Sequence, residues 1–327
     1  MAELRKDPLS GNWVVVGLTW TKSNEVDVCP FCPGNEHLTP NSIREIRDPS
    51  GAWLVRCFPA ANPIFMIEAP TSKKAEGIYD KRGNVGAHEI VVEGRAHTRN
   101  LSDFDGEELA LVLEMYAERI FDLKKDKRFR YVQIYRNHGE LAGSYIYHPH
   151  SHVLATSIIP HGTVMELANS QGHYLQKERC LLCDIIAQEI RQNKRVVAIS
   201  ENFLAFCPFA PRFPFEVWLL PRFHSHTFES LLDSRAMKYE FIQLFLDVMK
   251  RVERARSSHT IVIHTAPNPA VQEIAQEPAA EVENYFHWRV EILPRDLRTS
   301  KFKREDDFYT VSLTPEEAAQ ILKSDQL

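Results

Sequence analysis

The chain has 327 residues, 44% hydrophobic and 25% charged, which supplies apolar material for one large domain or two medium ones. A net charge of -5 gives no sign of a nucleic-acid-binding face, though a local basic pocket for a phosphorylated small molecule stays open. No apolar run approaches a membrane span, and the opening Met1-Ala2-Glu3-Leu4-Arg5-Lys6-Asp7-Pro8 lacks the apolar core of a signal peptide, so a cytoplasmic protein with no membrane partner is expected.

The first landmark is Cys29-Pro30-Phe31-Cys32, followed by Pro33-Gly34-Asn35. A close cysteine pair in a reducing compartment is a metal knuckle or a redox motif, and the turn residues after it favour the knuckle. Cys57 and Cys207 stand alone in apolar surroundings and read as inert core. A strand is predicted at Glu89-Ile90-Val91-Val92-Glu93, with His97 shortly after it. A helix follows, with Leu109, Val112, Leu113, Tyr116, Ile120 and Leu123 at helical spacing; such a stripe is core and carries no function by itself. Then come a strand at Tyr131-Val132-Gln133-Ile134-Tyr135 and the cluster His148-Pro149-His150-Ser151-His152, running into an apolar, β-branched segment from Val153 to Ile159. Pro149 biases His148 towards extended backbone, and alternation along a strand sends the three imidazoles to one face. A lone histidine is more often merely solvated. Three at period two suit metal binding, attack on phosphorus or proton transfer.

The same order then repeats. Cys180-Leu181-Leu182-Cys183 is followed by a strand at Phe215-Glu216-Val217-Trp218-Leu219-Leu220, by His224, and by a helix with Met237, Phe241, Leu244, Phe245, Val248 and Val252 on one face. A strand at Thr260–His264 and the segment His287-Trp288-Arg289-Val290-Glu291-Ile292-Leu293 complete it. Cysteine pair, strand, histidine, helix, strand and histidine-led strand occur twice, which predicts an internal duplication: an α+β fold of two halves, residues 1–172 and 173–327, each a mainly antiparallel sheet packed by helices, with the join near Gln171 to Arg179. Each half offers two thiolates and two imidazoles: Cys29, Cys32, His97 and His148 in the first, Cys180, Cys183, His224 and His287 in the second. His88 competes with His97 and His226 with His224, and the symmetry of the repeat prefers His97 and His224. Two such closed tetrahedral sets predict two structural zinc ions per chain. With His148 tied to metal, His150 is positioned and free to react. Its counterpart is Arg289, whose guanidinium is no nucleophile at neutral pH, so that half is a scaffold or a phosphate contact.

Taken together, Arg136-Asn137-His138-Gly139-Glu140-Leu141-Ala142-Gly143 running into His148-Pro149-His150-Ser151 resembles the signature of the galactose-1-phosphate uridylyltransferase family, a branch of the histidine-triad superfamily. Similar to that family too are Asp7-Pro8-Leu9-Ser10-Gly11-Asn12-Trp13-Val14-Val15, the first cysteine knuckle, Pro214-Phe215-Glu216-Val217-Trp218, and His287-Trp288 with Glu291. The resemblance covers nearly the whole chain. It implies two histidine-triad-like halves with zinc knuckles, a homodimer, and transfer of a nucleoside monophosphate through a covalent nucleotidyl-histidine. By position, His150 is the family's nucleophile and Asn137 its phosphate-region contact, with Ser151 in the same signature among the substrate contacts. The two ligand sets coincide with zinc positions of two-zinc relatives.

Several positions depart from the family's pattern. His152 stands where transferases of the branch usually carry Gln, as in the hydrolase branches, and is assigned a catalytic role beside His150. Tyr145 replaces a Ser, Gly17-Leu18-Thr19-Trp20-Thr21-Lys22 replaces an Arg-rich segment, and Pro59-Ala60-Ala61-Asn62-Pro63 replaces polar base contacts. Lys301-Phe302-Lys303 stands in for a Gly-Phe-Glu sugar contact, where Lys303 suits an anionic group. The leading expectation is a nucleotidyltransferase acting on a nucleotide sugar and a sugar phosphate, with uridylyl exchange between UDP-glucose and galactose 1-phosphate as the family default. A nucleotide hydrolase or a nucleoside diphosphate-sugar phosphorylase is the second, favoured by His152. A non-catalytic, zinc-stabilised binding protein is the third, favoured by the altered contacts.

Overall fold

The structure is a computed structural model that describes residues 2–18, 28–269, 282–295 and 309–324. A small four-stranded antiparallel sheet is built from β1 (Glu3–Lys6), β2 (Trp13–Val16), β5 (Lys73–Glu76) and β6 (Tyr79–Gly83). The main sheet has ten strands. The first half contributes β3 (Arg44–Arg47), β4 (Trp53–Pro59), β7 (Gly86–Val92), β8 (Tyr131–His138) and β9 (His150–Thr156). The second contributes β10 (Val196–Ile199), β11 (Phe203–Phe206), β12 (Val217–Pro221), β13 (His259–His264) and β14 (Arg289–Pro294). The helices are α1 (Gly106–Lys124), α2 (His161–Lys177), α3 (Leu181–Gln192), α4 (Arg235–Ala255), the single turn α5 (Val282–Tyr285) and α6 (Pro315–Lys323).

The duplication is visible in the strand order, β10-β11-β12-β14-β13-β8-β9-β7-β4-β3. Outward from the β13–β8 seam, each half presents five antiparallel strands in matching order: β8 answers β13, β9 answers β14 and β7 answers β12. The α+β class with antiparallel sheets packed by helices is therefore borne out. The halves share one continuous sheet, and residue 172 lies within α2, whose Leu167 packs with Ala266, Val282 and Phe286 of the second half.

The two predicted amphipathic helices form with their stripes buried. α1 starts at a capping box in which the Asp105 side chain accepts from Glu108 N–H and the Glu108 carboxylate accepts from Asp105 N–H. α4 starts at Ser234, whose hydroxyl accepts from Met237 N–H. Both pack on one face of the sheet and make one core with it, including Leu113, Ile120, Val153, Phe241, Val248 and Val290. Two predicted strands are shorter than their apolar runs. β12 begins at Val217 because Phe215 takes a positive φ of 64°, a turn conformation. β9 ends at Thr156, and Ile158 and Ile159 join two smaller clusters. Among the described residues, no helix is long and apolar enough to cross a membrane.

Candidate active site and metal centres

The histidine-bearing face is the one α1 and α4 do not cover. Alternation along β9 puts His150 and His152 there and turns Ser151 the other way, where its hydroxyl is buried against the Glu93 carboxylate and the Tyr116 hydroxyl. Glu93 also accepts from Tyr116 (2.9 Å) and Arg136 (2.9 Å). Burial alone would raise the Glu93 carboxyl, but Arg136 and the hydroxyls hold it below the usual range. Ser151 thus anchors the strand from beneath.

Just before β9, His148 Nε2–H donates to Gly94 O at 2.8 Å, which leaves its Nδ1 as the lone-pair nitrogen, 3.6 Å from Cys32 Sγ. His97 Nδ1 lies 3.4 Å from the same sulfur, and the ligand atoms of Cys29, Cys32, His97 and His148 all fall within 4.8 Å of one another. The second half repeats the scheme. His224 Nε2–H donates to Glu283 O at 2.7 Å and His287 Nε2–H to Pro221 O at 3.0 Å. Their Nδ1 atoms lie 3.5 and 3.6 Å from Cys183 Sγ, with Cys180 completing the set. A tetrahedral zinc ion with Zn–S near 2.3 Å and Zn–N near 2.0–2.1 Å spans S···N edges of about 3.5 Å. Both sets fit that ion in donor chemistry, edge length and tautomer. Four protein ligands in each set fill a tetrahedral shell and leave no open position, so a metal there would staple loops to the sheet. His88 and His226 lie outside both sets.

His150 is buried beside this centre, with Phe31 of the knuckle edge-on to its ring at 5.2 Å. Its Nδ1–H donates to His148 O at 2.8 Å, so the lone pair is on Nε2. Burial holds the ring below the ordinary imidazole range, hence neutral. β8 pairs Tyr135 with His152, and Asn137 follows two residues further along β8, on the same face and towards the His150 end of β9. Asn137 Oδ1 accepts from the Thr260 hydroxyl at 3.0 Å, which leaves its NH2 as the group to offer a ligand. Tyr135 stacks on His152 with centroids 4.6 Å apart and planes 8° from parallel. His152 Nδ1 meets His88 Nε2 at 2.9 Å. Tyr135 and the His88 contact went unread in the sequence. Period two along the strands, running from Asn137 to Tyr135 and from Ile90 to His88, is the signal that finds them.

At the equivalent positions of the second half, the strand pairs Ile90↔His152 and Trp218↔Glu291 align Glu291 with His152 and Glu216 with His88. Arg289 stands for His150. Its Nε–H donates to Glu291 at 2.9 Å, and Nη1 and Nη2 each donate to Glu166 from α2. Arg212 bridges Glu216 (2.9 Å) and Glu291 (2.5 Å). Burial would raise the Glu291 carboxyl, yet His264, Arg289 and Arg212 hold it well below the usual range. Arg289 is thus engaged both by Glu291 on its own strand and by Glu166 from residues 1–172. With two strands between β9 and β14, and with Val290 level with Val153 through Ile263 and Ile134, Arg289 is offset from His150 along the strands as well as across them, so the two are well over the roughly 14 Å of three inter-strand spacings apart. Lys303 lies outside the described residues.

Residues 4–160 match the family described as galactose-1-phosphate uridyl transferase, N-terminal domain, which bears out the resemblance carried by the motifs. Over 98% of its length the chain is 25% identical to ADP-glucose phosphorylase of Arabidopsis thaliana, of which it covers 92%. It is 26% identical to galactose-1-phosphate uridylyltransferase of Thermotoga maritima over 100% of this chain and 99% of that protein. Among solved structures, a uridylyltransferase superposes with a TM-score of 0.80 at 26% identity, covering 98% of this chain and 97% of that one.

Proposed function

We propose that the protein transfers a nucleoside monophosphate from a nucleoside diphosphate sugar through a covalent nucleotidyl-His150 intermediate. The observation that carries this reading is the His150 ring itself: neutral, tied through Nδ1–H to the His148 carbonyl, and left with one lone pair on Nε2. In the first step that lone pair attacks the α-phosphorus. A P–N bond forms, the bond from the α-phosphorus to the bridging oxygen breaks, and the sugar phosphate departs with that oxygen. In the second step an oxygen of a phosphate acceptor attacks the same phosphorus, the P–N bond breaks, and the electron pair returns to Nε2. One hard displacement becomes two easier ones. The Asn137 NH2 supplies hydrogen bonds to the phosphoryl oxygens as charge grows on them. Zinc on the Cys29, Cys32, His97 and His148 set would fix the backbone of His148, whose carbonyl orients His150.

The acceptor divides the reading in two. A sugar phosphate gives uridylyl-type exchange, as in the named function of the Thermotoga relative. Inorganic phosphate gives a phosphorylase, and similarity to an ADP-glucose phosphorylase over nearly the whole chain favours it. Brief incubation with ADP-glucose or UDP-glucose followed by intact-mass measurement tests the first step: a UMP or AMP adduct, absent in His150→Ala, is expected. Chasing the adduct with phosphate or galactose 1-phosphate then separates the two acceptors. An enzyme that turns over without an adduct, or with His150 replaced, overturns the mechanism.

A further inference from the structure

Two imidazoles of the histidine face, His88 and His152, are touched by neither metal set and by no step written above. They are joined to each other, and the join is directional. The backbone N–H of Ile64 donates to His88 Nδ1 at 3.2 Å, so that nitrogen carries the lone pair and the single proton of a neutral His88 resides on Nε2. His88 Nε2–H in turn donates to His152 Nδ1 at 2.9 Å. His152 Nδ1 is therefore an acceptor, and the proton of that ring resides on Nε2. Burial keeps both rings neutral, pushing His88 down to about 4 and His152 to about 3. The parallel stack of Tyr135 on His152 resists rotation of the ring. His152 also lies edge-to-face with His150, centroids 5.3 Å apart. The two neighbours thus hold opposite tautomers: a lone pair on Nε2 of His150, a proton on Nε2 of His152.

We propose that His88 is a positioning residue that locks His152 in its Nε2–H form, so that His152 donates one neutral hydrogen bond to the substrate phosphate as a side-chain amide would. This rests on the reading of His150 as the nucleophile. The consequence concerns the second step. A water molecule needs a base to remove its proton, whereas an anionic phosphate acceptor does not. A ring whose only lone pair is already occupied by His88 Nε2–H cannot serve as that base. The His88–His152 pair therefore suits a transferase or phosphorylase and works against hydrolysis, although a histidine at position 152 by itself points the other way.

Nitrogen NMR of the imidazoles in the metal-loaded protein tests the lock directly. In the wild type the His152 proton is expected on Nε2. In His88→Ala the ring should shift to a mixture of tautomers, and in His88→Gln, whose amide N–H can donate to the same Nδ1, the Nε2–H form should return. The rate of adduct formation from ADP-glucose or UDP-glucose should fall about tenfold or more in His88→Ala, short of the loss for deleting a charge-stabilising donor outright, and recover in His88→Gln. Melting temperature and zinc content confirm folding, and should His88→Ala not fold, the wild-type spectrum and His88→Gln still decide the matter. A wild-type proton on Nδ1 of His152 overturns the positioning role, as does a folded His88→Ala that forms adduct within about twofold of the wild-type rate. A wild type that forms no adduct at all overturns the reading of function instead, while the spectrum still decides the tautomer.

Discussion

At equivalent places of one duplicated sheet, His88, His150 and His152 face Glu216, Arg289 and Glu291 across the seam. Both trios are largely buried, and both couple the outer two positions, by a direct imidazole contact in the first half and through Arg212 in the second. They differ in what is left over. In the second half each charge is met by an opposite one, with Glu166 from α2 closing the cluster. In the first half the hydrogen bonds stop short: His150 keeps an unused lone pair and His152 an unused N–H. Chemistry needs such a remainder, and a satisfied ion network has none. The comparison teaches that function on this scaffold depends on leaving a buried polar group incompletely paired, which is tolerable for a neutral imidazole and costly for an ion.

Replacing the nucleophile should give the largest effect and the cleanest asymmetry. His150→Ala is expected to lower turnover by about 10⁴-fold or more, because the neutral imidazole with its lone pair held on Nε2 is removed. Its zinc content and melting temperature should stay near normal. A variant retaining substantial turnover would remove the distinction between the halves.

The metal sets come next. Cys29→Ala and Cys180→Ala should each take the bound zinc from two ions per chain to one and lower stability by several kcal/mol, since structural metal binding is coupled to folding. They should differ in activity. Loss of the first site frees His148, whose carbonyl holds His150, so adduct formation should fail even where the protein stays folded. Loss of the second should spare the adduct in the fraction that remains folded. Metal analysis alongside adduct mass separates these outcomes, and equal loss of activity in both would mean the sites are not functionally distinct.

Arg289→Ala should behave as the inverse of His150→Ala. It removes the cationic partner of the half-buried Glu166 carboxylate and one of three partners of the buried Glu291 carboxylate, and is expected to cost up to roughly 3–5 kcal/mol of stability, read from the denaturant midpoint. Adduct formation in the folded protein should persist. A large loss of nucleotidylation with unchanged stability would instead assign Arg289 to the substrate.

How much of this was legible in the sequence follows from what each signal encodes. The cysteine pairs, the spaced histidines and the two apolar helical stripes were readable because they are local, and their repetition in order exposed the duplication. α2 was not read as a helix because only Thr163, Leu167 and Ser170 of its seventeen residues are buried, too few for a periodic stripe. Its role in closing the second half, through Glu166, was unreadable for the same reason. The position of Ser151 followed from strand alternation but was obscured by its place in the signature. Arg289 looked free for a phosphate because its partner Glu166 comes from a distant helix. The His88–His152 contact required the pairing of β7 with β9, which no single segment carries.

Acid should cost stability through the buried His88. Burial depresses His88 to about 4, against about 6.5 for an unfolded histidine. The unfolded chain therefore binds the proton first, so the stability from a neutral His88 is complete above about pH 6.5 and is lost as pH falls towards 4. That amounts to about 2 kcal/mol by pH 5. Denaturant midpoints for wild type and His88→Gln at pH 7 and pH 5, at matched zinc content, isolate this contribution because the metal ligands are common to both. The glutamine variant should show the shallower decline, and parallel declines would mean His88 titrates normally.

The smallest effect tests whether the second half is only a scaffold. Arg295 Nε and Nη2 both donate to Thr260 Oγ1 at 3.2 Å, so the hydroxyl proton is directed to Asn137 Oδ1 at 3.0 Å. Thr260 belongs to β13 and Asn137 to β8, paired directly across the seam. The second half thereby sets which end of the Asn137 amide faces the site. Thr260→Val keeps the shape of the side chain, removes the hydroxyl and frees the amide to turn its oxygen towards a phosphate, where it would repel rather than donate. One neutral hydrogen bond is worth about 1 kcal/mol, so adduct formation should slow about fivefold, whereas Thr260→Ser should be close to wild type. Because the donor acts on charge that develops during transfer, the loss should fall on kcat more than on KM. A loss confined to KM would make Asn137 a ground-state contact, and no loss in Thr260→Val would return the second half to the role of a scaffold.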